Sequence, residues 1–106
     1  MSVPQYTTPT FLLTFDDDDL DLTTADHVYV TFRALECRKE YLLTKTGDDL
    51  NVKPQSISVF LSQEETADLG VGNIEIQANW TQDGKRAASE VVPFTLSKQL
   101  LRRVVA

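Results

Sequence analysis

Alternation of apolar and polar residues is the feature that most limits how this chain can fold. It is clearest in residues 73–80, where Ile74, Ile76, Ala78 and Trp80 alternate with polar side chains. Successive side chains of a β-strand point to opposite faces, so this segment has one face for a core and one for water. Related patterns predict further strands at residues 10–15, 28–34, 41–45, 50–52, 56–61 and 86–96.

One short helix is predicted between two of these strands. Ser62 and Glu65 have the spacing of a capping box, in which each side chain satisfies a backbone N–H of the other residue. Gly70 suits the left-handed residue that ends a helix. The helix is therefore expected over residues 63–69, where it would cross from one sheet to the other.

The predicted fold is all-β: a single immunoglobulin-like antiparallel sandwich of about seven strands with one crossover helix. A small barrel is the alternative. Trp80 is expected to anchor the core because burying a large aromatic removes much apolar surface from water. Leu69 and Val71 are expected to close one end of that core. The expected divisions are an extended N-terminal arm (1–9), the sandwich (10–96) and an apolar, basic C-terminal tail (97–106).

Composition excludes several classes of site. The 106 residues suffice for one core, and they carry a net charge of −6, one Cys and one His. A nucleic-acid partner is not expected, because phosphate binding needs a basic face, and the patch Arg33, Arg38 and Lys39 has no aromatic platform beside it. A single Cys excludes an intramolecular disulfide, and about four Cys or His ligands would be needed for structural zinc. No cofactor or small-molecule substrate is expected.

No segment has the sequence of a membrane anchor. A membrane span needs about 20 consecutive apolar residues, and no run in the chain approaches that length. The N-terminus also has no basic stretch followed by an apolar one, as a signal peptide would. The expectation is a soluble protein without a membrane partner.

Charge is unevenly distributed along the chain. Residues 1–32 contain six of the sixteen acidic residues and no Lys or Arg, whereas residues 97–106 contain three bases and no acid. Such polarity is compatible with association of the acidic part of one chain with the basic end of another. A solvated acidic loop and an ordinary basic terminus are the simpler interpretation.

The run Asp16–Asp19 with Asp21 is a candidate calcium site, because carboxylate oxygens are ligands for hard cations. No EF-hand spacing follows it, and four adjacent carboxylates in an extended chain cannot all converge on one ion. No metal site is therefore predicted. The favoured interpretation is a solvated loop that prevents edge-to-edge pairing of sheets.

Candidates for catalysis are few. Asp26 followed by His27 could form a general base, and Cys37 beside Arg38 could be an activated thiol. No nucleophile elbow or oxyanion stabiliser accompanies either pair. His27 is expected on the solvent face with Tyr29. We therefore predict no catalytic residue and no enzymatic activity.

The chain ends are the favoured candidates for partner binding. Apolar residues that follow the last predicted strand can pack on their own domain or insert into a neighbouring subunit, and the N-terminal arm has the same choice. The candidate partner-binding residues are Tyr6, Leu100, Leu101, Arg102, Arg103, Val104 and Val105.

Several segments resemble small structural proteins of bacteriophages and prophages of Gram-positive gut bacteria. The similar segments are residues 8–10, 21–32, 56–66 and 72–77, and the resemblance covers roughly residues 7–106. It extends more loosely to the immunoglobulin-like N-terminal domain of phage baseplate upper proteins. The resemblance implies a non-enzymatic virion protein of the tail or baseplate, made in the host cytoplasm. Its implied partners are other virion proteins and copies of itself.

Two alternative functions are a capsid decoration protein and a module that binds host-surface carbohydrate with the help of calcium. Sugar sites commonly use exposed aromatic rings. Those expected to face outward here are not clustered in the sequence: Tyr6, Tyr29, Tyr41 and Phe60.

Overall fold

A computed structural model of the chain describes residues 2–34, 41–101 and 105. Nine strands and one α-helix are present in these parts. They are β1 (Ser2–Pro4), β2 (Thr10–Thr14), β3 (His27–Ala34), β4 (Tyr41–Thr46), β5 (Leu50–Lys53), β6 (Ser56–Phe60), α1 (Gln63–Leu69), β7 (Gly72–Gln82), β8 (Lys85–Ala88) and β9 (Val92–Ser97).

The strands form two sheets. The larger has the order β1-β9-β7-β3-β4, with β8 also paired to β7, and the smaller has the order β2-β6-β5. The pairing of β1 with β9 is parallel, and the other pairings are antiparallel. In the immunoglobulin sandwich, strands B, E and D form one sheet and strands G, F, C and C′ the other. Here β2, β6 and β5 take the first set of places, and β9, β7, β3 and β4 take the second. The predicted immunoglobulin-like all-β fold is confirmed.

The core lies where the inward faces of the two sheets meet. Phe11 of β2 contacts Phe32 of β3 and Phe94 of β9, with ring centroids 5.7 and 4.9 Å apart. Phe32 is completely buried. Aromatic side chains from both sheets therefore interlock at the centre of the sandwich.

Trp80 is not the centre of this core, contrary to the prediction from its size. It is partly buried and packs against the edge of the cluster. Its ring makes an edge-on contact with Phe15, at a centroid distance of 5.4 Å. The reason is position along the strand, since Trp80 lies near the end of β7, beyond the segment that pairs with β9.

The helix has the predicted bounds and the predicted N-terminal capping box, and Gly70 at its end has a φ of +79°. The Glu65 backbone N–H donates to Ser62 Oγ at 3.1 Å, and the Ser62 N–H donates to Glu65 Oε1 at 2.9 Å. Leu69 is buried as expected, but Val71 is 52% exposed. Ile74 points inward from β7, and strand alternation then directs position 71 outward. The prediction that Val71 closes the core was wrong.

The sandwich includes residues from both expected terminal segments. Residues 2–4 lie within the expected N-terminal arm and form β1, and β9 continues to Ser97. The Gln5 N–H donates to the Ser97 carbonyl at 3.0 Å. The buried Thr66 hydroxyl donates to the Thr7 carbonyl at 3.2 Å. The N-terminal arm therefore packs on its own domain.

The long strand predicted over residues 86–96 is divided into β8 and β9. Ala88 pairs with Asn79 and Val92 with Ile76, so three residues stand opposite two on β7. Ser89 holds the junction: its N–H donates to the Ala78 carbonyl, and its hydroxyl accepts from the Ala78 N–H, both at 2.9 Å. This extra residue is a β-bulge, which bends the strand and increases its twist.

A partly buried ion pair joins β4 to α1. Lys45 stands opposite Val30 and so extends from the core side of the larger sheet. Its Nζ lies 2.7 Å from Glu65 Oε1, with side-chain exposures of 12% and 22%. Burial by itself would raise the pKa of Glu65. Hydrogen bonds from Lys45 and the Ser62 backbone, with the charge of Lys45, outweigh burial and lower this pKa.

Substituting Glu65→Gln is expected to destabilise the protein at neutral pH more than at acid pH. A carboxyl whose pKa is lower in the folded state stabilises that state above its unfolded pKa, and this stabilisation is lost as pH falls through the folded-state pKa. The difference in urea midpoint between wild type and variant should therefore shrink below pH 4.5, the ordinary pKa of a glutamate. An unchanged difference across the acid range would show that the charge of Glu65 contributes nothing.

Candidate functional site

The C-terminal tail contains strongly exposed apolar residues. Leu100 is 96% exposed and Leu101 is 51% exposed. Val105 lies beside α1, where the Gln63 side-chain amide donates to its carbonyl at 2.7 Å and accepts from its N–H at 2.8 Å. Three other predicted partner-binding residues lie outside the described residues: Arg102, Arg103 and Val104.

The base of the tail lies near the N-terminal segment. Gln99 Nε2 donates to the Gln5 carbonyl at 3.4 Å. Tyr6 follows directly, half-buried and with a φ of +56° in the link between β1 and β2. The structure thus brings the base of the tail close to the residue before Tyr6. It leaves Leu100 projecting into solvent.

One edge of β2 has no partner strand among the described residues. The Phe15 N–H donates to the Gln55 carbonyl at 2.9 Å, and the Leu61 N–H donates to the Pro9 carbonyl at 3.0 Å. Backbone groups alternate in direction along an antiparallel strand, so odd-numbered residues of β2 face β6. Thr10, Leu12 and Thr14 therefore direct their N–H and C=O groups to the opposite, unpaired edge.

The fold explains why this edge is free. In the immunoglobulin arrangement, strand A lies beside strand B, which is the place next to β2. The N-terminal strand here pairs with β9 of the other sheet instead. The residues between β1 and β2 then cross to the smaller sheet without forming a strand, so the place of strand A stays unfilled.

An open cleft of about 610 Å³ lies beside the free edge. One wall is the end of β2 with the loop that follows, and the other is Trp80 with the β8–β9 bulge. Its main apolar residues are Leu12, Leu13, Phe15, Leu20, Trp80 and Val92. Acidic residues also line it: Asp16, Asp17 and Glu90. The cleft can therefore accept an extended segment that carries apolar side chains and positive charge.

Sequence reasoning did not find this cleft, although one local signal indicates it. Residues 10–15 read Thr-Phe-Leu-Leu-Thr-Phe, which is uncharged, rich in β-forming residues and free of Pro and Gly. Such six-residue segments readily pair with other strands. Four aspartates follow at once, and charges that flank an exposed strand suppress unwanted pairing. The location of Asp16–Asp19 fits the edge-protecting role predicted for this run.

The acidic run has local hydrogen bonds rather than a shared ligand geometry. The Asp19 N–H donates to Asp17 Oδ1 at 3.0 Å, and the Leu20 N–H donates to the Asp17 carbonyl at 3.1 Å. Asp21 Oδ1 accepts from the Thr23 N–H at 3.0 Å and caps a short 3-10 turn. Among the described residues, no group of three or more His, Cys, Asp or Glu side chains is placed to hold a metal ion.

Replacing Asp16–Asp19 by asparagines is expected to increase aggregation several-fold, because it removes the charges next to the free edge. Asparagine keeps the Oδ1 acceptor that the turn uses. The matched control replaces Asp48, Asp49, Glu64 and Asp68, which are exposed elsewhere, by their amides and removes the same four charges. Turbidity and thioflavin fluorescence during mild heating provide the measurement. Equal aggregation of both variants would indicate an effect of net charge alone.

The candidate catalytic residues have structural contacts. His27 is exposed and shares the solvent face with Tyr29, as predicted, at a ring-centroid distance of 6.2 Å. Asp26 Oδ2 accepts from the Asp83 backbone N–H at 3.2 Å and so links two loops. Arg33 Nη2 pairs with Glu75 Oε1 at 2.6 Å on the outer face of the larger sheet. Cys37, Arg38 and Lys39 lie outside the described residues.

The aromatic candidates for sugar binding are separated. Tyr29 is half-buried on the outer face of the larger sheet, and Phe60 is 53% exposed on the outer face of the smaller one. The side chain of Tyr41 lies outside the description. Tyr29 and Phe60 therefore cannot contribute to one stacking surface. In the parts of the chain covered by the structure, no helix combines the length and apolarity of a membrane span.

Comparison with known proteins gives a structural likeness alone. No protein-family model matches the chain, and no curated protein matches it. The chain is similar in structure to a solved protein from a photo-crosslinking study of multimeric cell-adhesive interactions of VGSC beta subunits. The aligned region covers 93% of this chain and 89% of that protein's chain. The identity is 12% and the TM-score is 0.46.

Proposed function

We propose that the protein is a non-enzymatic structural component of a phage virion, in the tail or baseplate, that acts by pairing a strand with another chain. The free edge of β2 beside the apolar cleft is the observation that carries the proposal. It supplies unpaired backbone donors and acceptors next to a surface that can receive side chains. The partner is a copy of the same chain or another virion protein.

Strand addition at this edge accounts for features that a solitary domain would be expected to avoid. Monomeric β-proteins usually protect an edge with lysines, prolines or bulges within the edge strand. Residues 10–14 of β2 contain none of these, and the charges that protect this edge are those of the run Asp16–Asp19, beyond the end of the strand. In strand addition, backbone hydrogen bonds provide affinity, and alternate side chains in adjoining pockets provide specificity.

The virion assignment is supported by the phage-like segments of the sequence. Residues 56–66 and 72–77, which carry much of that resemblance, form β6, the capped helix α1 and the start of β7. β6 is the central strand of the smaller sheet, and β7 belongs to the larger one. The resemblance and the free edge are separate reasons for an assembly role.

Mass spectrometry of purified phage particles from a strain that encodes the chain tests the location of the protein. The expected result is its presence in particles at several copies per virion, after washing with high salt. Light scattering on the isolated protein tests association separately. Absence from particles would contradict the virion role, whatever the behaviour of the isolated protein.

A further inference from the structure

We propose that the segment which pairs with the β2 edge is the C-terminal tail of a second copy of this chain, residues 100–105. The inference rests on the proposed function in its claim of association, and it adds the identity of the bound segment. Copies would then join head to tail, with the tail of one domain in the cleft of the next.

The position of the tail indicates a second copy rather than the same domain. The tail leaves β9 at Ser97, beside β1 and α1, whereas the cleft lies at the Val92 end of that strand. Five residues of strand separate these ends by about 17 Å. On its own domain the end of the tail lies at α1, where Val105 makes two exposed hydrogen bonds with Gln63. Insertion into a second copy would exchange these two bonds for strand pairing.

The tail carries the side chains that the cleft can accept. As an extended strand, residues 100–105 would present two apolar residues and one arginine on each face, whichever face turned inward. The cleft offers apolar walls together with Asp16, Asp17 and Glu90. Leu100 is 96% exposed on its own domain and would become buried on insertion into the cleft.

Head-to-tail pairing predicts a distinctive form of assembly. The two contacting surfaces are different, so the interaction leaves a free tail at one end and a free cleft at the other. Growth continues until a ring closes or the chain of subunits ends. Attraction between arginines and aspartates at an accessible rim should weaken as salt increases.

Two full-length variants test the two surfaces separately. Leu12→Pro removes an N–H from the unpaired edge and leaves the pairing of β2 with β6 intact. This variant therefore keeps a functional tail, but its own cleft can no longer bind the tail of another copy. The double variant Leu100→Asp, Leu101→Asp keeps the cleft and loses the apolar tail. Each alone should be monomeric by sedimentation velocity, and an equimolar mixture should form a 1:1 heterodimer. Leu42→Asp, at a leucine 56% exposed on the outer face of the larger sheet, is the control that should associate as wild type does.

Trp80 provides a second readout at the cleft, since it is the one tryptophan in the chain and lines that site. A peptide of sequence SKQLLRRVVA, titrated into the double variant, should shift its emission to shorter wavelength. A scrambled peptide should not, and high salt should weaken the effect at least several-fold. This measurement needs no change at β2, and circular dichroism verifies that the variants are folded.

The outcomes separate this inference from the proposed function. A wild-type protein that is monomeric at all concentrations, or a mixture without heterodimer, overturns the tail as the bound segment. Association of the double variant that Leu12→Pro abolishes also overturns it, while leaving strand pairing at β2 in place. Detection of the protein in virions is independent of both results.

Discussion

Replacing Phe32 by alanine is expected to lower the free energy of unfolding by about 3–5 kcal/mol, the usual cost of removing a buried phenylalanine ring. Phe32 is completely buried and packs against Phe11 of the opposite sheet. Removal of the ring leaves a cavity between the two sheets. The neighbouring strands cannot move far enough to fill it, because backbone hydrogen bonds hold them in place. Urea unfolding followed by far-UV circular dichroism gives the change in stability.

Phe60→Ala is the matched control for this prediction, because it removes the same ring from a site that is 53% exposed. Lys45 Nζ lies 5.4 Å from the centre of that ring, so a loss of about 0.5–1 kcal/mol is expected from the cation–π contact. If the two substitutions cost the same, the centre of the core is not where the structure places it.

Proline at two neighbouring positions of β2 should destabilise the protein to very different extents. The Leu13 N–H faces β6, so Leu13→Pro leaves a ladder carbonyl without its donor, at a cost of about 1–3 kcal/mol, and removes leucine packing worth about 2 kcal/mol more. The Leu12 N–H faces the unpaired edge and its side chain is 65% exposed. Leu12→Pro should therefore cost about 1 kcal/mol, mainly from adjusting φ.

Thermal and urea unfolding of the two proline variants measure this asymmetry. Leu12→Ala and Leu13→Ala separate the loss of the side chain from the loss of the N–H. The comparison should be made at low protein concentration, where association does not add to stability. Strong destabilisation by Leu12→Pro at that concentration would mean that the outer edge of β2 is paired within the domain.

Much of the local structure could be predicted because it depends on short spacings. Alternation at every second residue places Ile74 and Ile76 inward on β7, and the capping box of Ser62 and Glu65 sets the start of α1. The bulge at Ser89 was not predicted, because the segment around it alternates weakly. The extra residue can be recognised only when the strand is aligned with its partner β7. Sequence spacing reports which residues form a strand, but not what each strand lies beside.

The candidate site was predicted in part. The exposed Leu100 and Leu101 and the acidic run were recognised as unusual from the chain itself, because apolar residues after the last strand and clustered charges are local features. The free edge and the cleft were not, because they depend on β1 pairing with β9 rather than with β2. The place of Trp80 at the cleft is likewise a consequence of tertiary pairing, because β7 extends beyond the segment that pairs with β9.

By itself, the amino-acid sequence determined the β-class of the domain, the helix at residues 63–69 and the polarity of its two ends. Those properties follow from the identity and spacing of residues that are close together in the sequence. The tertiary structure decided which strand edge remains open, which aromatic ring lies at the centre and where the tail points. These depend on pairing between distant segments, whose backbone hydrogen bonds are the same for any strand and so leave no mark in local sequence.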